Sequence, residues 1–106
     1  MSIEHPADKA AFDKIISEAG DKLVVVDFFA VWCPPCQAIT PKVEALAAEH
    51  TDCSFVKIDV DQNSETSGAC GISAMPTFQF YKGGTKVDEF RGADEAKLES
   101  TITSLK

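Results

Sequence analysis

No stretch of this chain is apolar over the length a bilayer requires, which excludes a membrane-spanning helix. Positive charge is scarce: ten Lys and Arg stand against seventeen Asp and Glu, a formal net charge of −7. With no cluster of bases to neutralise phosphates, nucleic acid and anionic membrane are excluded as main partners. The opening residues, Met1-Ser2-Ile3-Glu4-His5-Pro6, have neither the basic nor the apolar segment of a secretion leader. Cysteine is also sparse, four in 106 residues with one close pair, so this is no disulfide-dense secreted scaffold. A reducing cytoplasm is the expected compartment. What the chain does have is ordinary for a globular protein, 44% hydrophobic and 25% charged residues, and enough length for one domain over residues 1–106.

Against that background, Phe28-Phe29-Ala30-Val31-Trp32-Cys33-Pro34-Pro35-Cys36 stands out. It begins as an apolar strand and ends in two cysteines three positions apart. If Cys36 opens a helix, such residues lie about 5–6 Å apart at Cβ, close to disulfide geometry. Cys36, Ile39, Val43, Leu46 and Ala47 recur at the spacing of one helix face, which puts Cys36 at the head of the inward stripe. Cys33 falls at the helix cap, where free N–H groups and the positive end of the dipole favour a thiolate. The pattern therefore assigns attack to Cys33 and resolution to Cys36.

The competing chemistry for a Cys-x-x-Cys is half a zinc site. Cys53 and Cys70 stand alone, without ligand-type neighbours at metal spacing, and His5 and His50 form no His-x-x-x-His pair. Structural zinc sites supply ligands in close pairs, so redox chemistry is the better fit and no metal is expected.

Elsewhere, periodicity predicts the elements in order. Ile3 begins a short edge strand stopped by Pro6. Phe12, Ile15, Ile16 and Ala19 mark an amphipathic helix that starts near Asp8 and ends at Gly20. Leu23 to Ala30 is a continuous apolar run, the mark of a strand covered on both faces. A helix from Cys33 to Glu49, kinked at Pro41, leads to a strand over Ser54 to Val60. Strand, helix and strand make a right-handed parallel crossover. After a short polar helix over Asn63 to Cys70, Thr77–Lys82 and Thr85–Arg91 flank Gly83-Gly84 as an antiparallel hairpin. Leu98, Ile102 and Leu105 give the last helix, opening near Asp94, a face for the sheet. The expected fold is a three-layer α/β/α sandwich with a mixed sheet of about five strands and four helices, the cysteines lying just beyond the carboxyl end of the central strand.

Trp32-Cys33-Pro34-Pro35-Cys36 follows Val24-Val25-Val26-Asp27-Phe28, and Met75-Pro76-Thr77-Phe78 and Phe90-Arg91-Gly92-Ala93 come later in the same order. In these motifs the chain resembles the thioredoxin family essentially end to end, most nearly its cytosolic animal members. The resemblance implies the thioredoxin fold and a protein-disulfide reductase with a redox-active Cys33–Cys36 disulfide and no bound cofactor. Its electrons would come from NADPH through thioredoxin reductase. Disulfide-containing proteins such as peroxiredoxins would be its substrates, and it would be a monomer or a weak noncovalent dimer.

Other site residues follow from the same resemblance. An acid amid Val24, Val25, Val26, Phe28 and Phe29 is expected to be buried, with its pKa raised, and Asp27 so tuned suits a proton shuttle for Cys36. Lys57, on the adjacent strand, is expected to approach it, and a purely structural Asp27–Lys57 pair is the alternative. Base rates favour a trans Met75-Pro76 bond, whereas the resemblance implies a cis proline beside the cysteines, with Met75 offering backbone groups to an extended substrate segment. Trp32, Ile72, Ala74, Gly92 and Ala93 match positions around that surface.

The chain also departs from the family pattern. Pro34 stands where most members have glycine, and Gln37 where most have lysine. The first removes a backbone donor and the second a positive charge, and both changes raise the expected pKa of Cys33. These unusual residues between and after the cysteines keep a disulfide oxidase or isomerase in view as the alternative activity. Ala74 replaces a cysteine that animal members use for a disulfide-linked dimer, so that dimer is not expected. Cys70 matches one of their non-catalytic cysteines, and Cys53 reads as a small buried hydrophobe.

Overall fold

The computed structural model describes residues 3–106; Met1 and Ser2 lie outside them. Asp8 opens the first helix, α1 (Lys9–Glu18), by accepting from the Ala11 N–H, and Gly20 turns the chain away at φ 61°. The apolar run becomes strand β1 (Val24–Phe29), buried along almost its whole length as a strand covered on both faces must be. Helix α2 (Pro34–Glu49) then runs on through Pro41 and leads to β2 (Ser54–Asp59). Short α3 (Ser64–Ala69) is capped by the Asn63 side chain. Strands β3 (Thr77–Lys82) and β4 (Thr85–Arg91) flank Gly83 and Gly84, whose φ values of 62° and 80° are those of the tight hairpin turn expected of two glycines. Asp94 caps α4 (Glu95–Leu105).

The sheet is four-stranded in the order β2-β1-β3-β4. The β1/β2 pair is parallel, with Asp27 opposite Lys57, and the β1/β3 and β3/β4 pairs are antiparallel, with a register shift between Phe80 and Tyr81. The edge strand expected at Ile3 is reduced to one bridge: Glu4 pairs with the free side of β2 through Glu4 N–H to Phe55 O and Lys57 N–H to Glu4 O.

Alternation along the strands sends side chains into two core layers. Val25, Phe55, Phe78 and Phe80 pack with Ile39, Val43 and Leu46 of α2 and Leu98 and Ile102 of α4. Val24, Val26, Phe28, Val56 and Ile58 pack on the opposite face with Phe12 of α1. Burying a side chain of this size stabilises the fold by about 1.5–3 kcal/mol. Because β1 is interior and α2 follows it directly, the residues between them emerge at the carboxyl edge of the sheet with a rigid strand behind and a rigid helix ahead.

Candidate functional site

Cys33 is the N-cap of α2, its backbone extended at φ −99° and ψ 107°, and Pro34 and Pro35 are the first two helical residues. Proline suits that position because its φ is already helical and it has no N–H to leave unpaired. The first side-chain-facing donor is therefore the Cys36 N–H, which points at Cys33 Sγ over 3.3 Å. Cys33 and Cys36 are joined by a disulfide, their Cα atoms 5.3 Å apart. Cys36 lies on the buried stripe of α2, which consists of Cys36, Ile39, Val43, Leu46 and Ala47, the positions the periodicity predicts. In the disulfide both residues are buried, with Cys33 5% and Cys36 2% exposed.

The chain is folded around this pair from three directions. Val31 and Trp32 project on one side, Trp32 with 64% of its surface exposed and its indole N–H donating to Asp61 Oδ2 at 2.8 Å. Gln37 bonds the Val31 carbonyl from the helix side. On the other side Met75-Pro76 is a cis peptide, and the Met75 carbonyl lies 3.7 Å from Cys33 Sγ. Gly92, at φ 101°, directs its N–H to the Pro76 carbonyl at 2.9 Å, which brings the end of β4 to the same surface. Gly92 and Ala93 are exposed there, Ala74 and Met75 are half-buried, and Met75 packs on Ala30, Cys33 and Cys36. Ile72 is also half-buried, and it packs against the core layer of Val24, Val26 and Phe28.

Asp27 lies within β1 opposite Lys57 of β2, 2% exposed, and neither carboxyl oxygen has a hydrogen-bond partner. Burial pushes its pKa up from 3.8 to about 7, only partly opposed by the positive charge of Lys57. The Lys57 ammonium stays 4.0 Å from Asp27 Oδ2. It donates instead to Thr40 Oγ1 at 3.3 Å and sits 4.5 Å from the centre of the Phe29 ring. Thr40 in turn donates to the Cys36 carbonyl at 3.0 Å.

Two residues of this constellation, Asp61 and Thr40, are not found by sequence reasoning, and a third, Gln37, is found for a different reason. Asp61 has no motif around it, and its only signal is that an indole N–H near the surface needs an acceptor. Thr40 is one helical turn after Cys36, a spacing at which a threonine hydroxyl bonds back to the carbonyl four residues earlier. Gln37 is singled out in the sequence for its lost charge, whereas here its amide ties the loop carrying Trp32.

Such an arrangement can exchange two electrons and two protons as a thiol pair with a disulfide. Among the described residues no group of three or more His, Cys, Asp or Glu is placed to hold a metal ion, and no helix is long and apolar enough to cross a membrane. The thioredoxin family model matches residues 4–104. The chain belongs to the thioredoxin family. Rabbit (Oryctolagus cuniculus) thioredoxin is 48% identical over 97 residues, 92% of either chain. The X-ray structure of Fasciola hepatica thioredoxin superposes with a TM-score of 0.96 at 51% identity, covering 98% of this chain and 100% of its own. A structure from work on the thiol resolving mechanism of yeast mitochondrial 1-Cys peroxiredoxin via glutathione/thioredoxin systems superposes at 0.91. Its identity is 33%, over 98% of this chain and 96% of that one. Thioredoxins are disulfide oxidoreductases, and the Cys33–Cys36 disulfide on this fold is the matching redox centre.

Proposed function

We propose that this thioredoxin is a reductase of protein disulfides in which Cys33 attacks and Cys36 resolves. The observation that carries the order is the position of the two sulfurs on α2: Cys33 caps the helix, while Cys36 heads its buried stripe. In the reduced protein the Cys33 thiolate attacks a substrate disulfide. A Cys33–substrate bond forms, the substrate S–S bond breaks, and one substrate thiolate leaves. Cys36 then loses its proton to the Asp27 carboxylate and attacks Cys33 Sγ. The mixed disulfide breaks, the second substrate thiolate departs, and Cys33–Cys36 is left oxidised. Two electrons have passed to the substrate. A carboxyl with a pKa near 7 suits that proton transfer because it accepts and returns a proton with little bias at cellular pH.

The surface formed by Trp32, Ile72, Ala74, Met75, Gly92 and Ala93 would hold an extended substrate segment beside the cysteines, with Met75 supplying main-chain groups. Pro34, Pro35 and Pro76 fix the shape of that surface. Reduction of the disulfide is assigned to NADPH through thioredoxin reductase, with no cofactor bound to the chain itself. Peroxiredoxin-type proteins are natural candidates for substrates, in keeping with the yeast relative described above. The same reading puts the protein in the cytoplasm as a cytosolic, animal-type member. It would be one domain over residues 1–106, a monomer or weak noncovalent dimer.

The test is reduction of insulin disulfides with NADPH and thioredoxin reductase, alongside Cys33→Ser. Turnover that vanishes in the variant is expected. A folded protein without turnover, and with an oxidising measured potential, would replace this reading with that of an oxidase or isomerase.

A further inference from the structure

We propose that Thr40 is a positioning residue for proton transfer at Asp27, holding the Lys57 ammonium away from the buried carboxyl. The inference deepens the reading of Asp27 as the proton acceptor of Cys36 and rests on it.

The geometry is that of one cation choosing among neighbours. Thr40 has a single hydroxyl proton, and it is committed to the Cys36 carbonyl at 3.0 Å. Its oxygen is thereby turned into an acceptor, and Lys57 donates to it at 3.3 Å. The Phe29 ring, on the same face of β1 as Asp27, draws the ammonium at 4.5 Å. Asp27 Oδ2, at 4.0 Å, is left beyond hydrogen-bond reach. Asp27 thus sits opposite a lysine in register and still has no hydrogen-bond partner on either oxygen. The cation beside this carboxyl is held elsewhere, by the Thr40 hydroxyl and the Phe29 ring.

Lys57 has four rotatable bonds, and moving its ammonium by about 1 Å would turn this long ion pair into a direct hydrogen bond. Direct contact would favour the carboxylate, and Asp27 would then take up the Cys36 proton less readily. Lys57 is the charge that acts on the Asp27 carboxyl. On β3 the register partner of Asp27 is Phe78, which is uncharged, and Cys36 in the oxidised protein is tied up in the disulfide. Glu44 and His5 line the cleft beside Lys57 on the outer side.

The experiment is a ¹³C NMR titration of the Asp27 carboxyl in the oxidised protein, which reads the carboxyl without depending on catalysis. Thr40→Val removes the acceptor and keeps the shape, and its Asp27 midpoint is expected to fall by about one pH unit. Thr40→Ser restores the hydroxyl and should restore the midpoint. In a Lys57→Met background Thr40→Val should produce no shift, since the effect runs through the lysine. Thr40→Ala, which lacks the hydroxyl but favours the helix, gives the same reading should Thr40→Val not fold. An unchanged or raised midpoint without the hydroxyl, or a shift that persists without Lys57, overturns the proposal. The pH profile for resolution of a mixed disulfide separates the two claims. A profile that moves with the carboxyl supports both. A profile that stays in place while the carboxyl midpoint falls leaves the lysine placement standing and overturns the shuttle.

Discussion

Trp32 Nε1 donates to Asp61 Oδ2 at 2.8 Å, so a loop after β2 fixes the orientation of an exposed ring in the loop after β1. A hydrogen bond to a carboxylate is stronger than a neutral one, yet at an exposed site its net worth to folding is small. Asp61→Ala is accordingly expected to cost no more than about 1–2 kcal/mol of stability. It should release the indole and slow exchange with protein disulfides several-fold. The chain has a single tryptophan, so its fluorescence anisotropy reports that release directly. Unchanged anisotropy and unchanged exchange would show that packing alone orients the ring.

The Asp27 carboxyl makes stability depend on pH in the sense opposite to a salt-bridged acid. Its pKa is raised in the fold from 3.8 to about 7, so between those values the folded protein holds a proton that the unfolded chain has released. The contribution of this carboxyl should therefore be greatest below about pH 4, fall as pH rises to about 7, and level off above. Asp27→Asn should remove most of this slope and be more stable than the parent at pH 8 by an amount on the order of a few kcal/mol. Denaturant unfolding at pH 5 and pH 8 measures both effects. A parent protein equally stable at the two values would mean that Asp27 is not perturbed.

Pro34 and Pro35 leave the head of α2 with the Cys36 N–H as the donor facing Cys33 Sγ. Pro34→Gly restores one N–H, and Gln37→Lys restores a cation within the first turn. Each should lower the pKa of Cys33 in the reduced protein, and the double variant should lower it further. Thiolate absorbance against pH measures this. Values that stay or rise would mean that the helix dipole alone sets the thiol.

Gly92 combines φ 101° with a hydrogen bond to the Pro76 carbonyl. A Cβ at this position meets no atom within 4 Å, so Gly92→Ala tests backbone conformation without a clash. The expected cost is about 1–2 kcal/mol, together with slower exchange as the loop holding Met75 loosens. Thermal unfolding and insulin reduction check the two parts. Full stability and full activity would mean that the chain reaches an equivalent conformation with alanine.

Much of this molecule was legible in its residues because local rules set it. Gly83-Gly84 placed the hairpin with both strand boundaries as observed, and the stripe from Cys36 to Ala47 named the buried face of α2 residue by residue. Asp27 could be read as buried because five apolar neighbours leave an acid nowhere else to go. Contacts between segments distant in the chain were not legible in this way. Asp61 reaches Trp32 and Lys57 reaches Thr40 through side-chain rotamers that no periodicity encodes. The Asp27–Lys57 relation shows the difference well: register put the two opposite each other, as expected, but a threonine on another element decided that they do not hydrogen-bond. The edge strand at Ile3 shrank to the Glu4 bridge because Pro6, soon after, has no N–H with which to extend a ladder.

Strand β4 ends the sheet with its outer side unpaired, and most of its residues are exposed. Such an edge invites a strand from another molecule, which is the first step of aggregation. Here Lys86, Asp88, Glu89 and Arg91 crowd the seven residues of β4, and the register shift beside Tyr81 breaks its regular line. A newcomer would have to strip water from charges of both signs to align with it. Concentrated protein should therefore stay dispersed even while the apolar surface around Trp32 remains open to its partners.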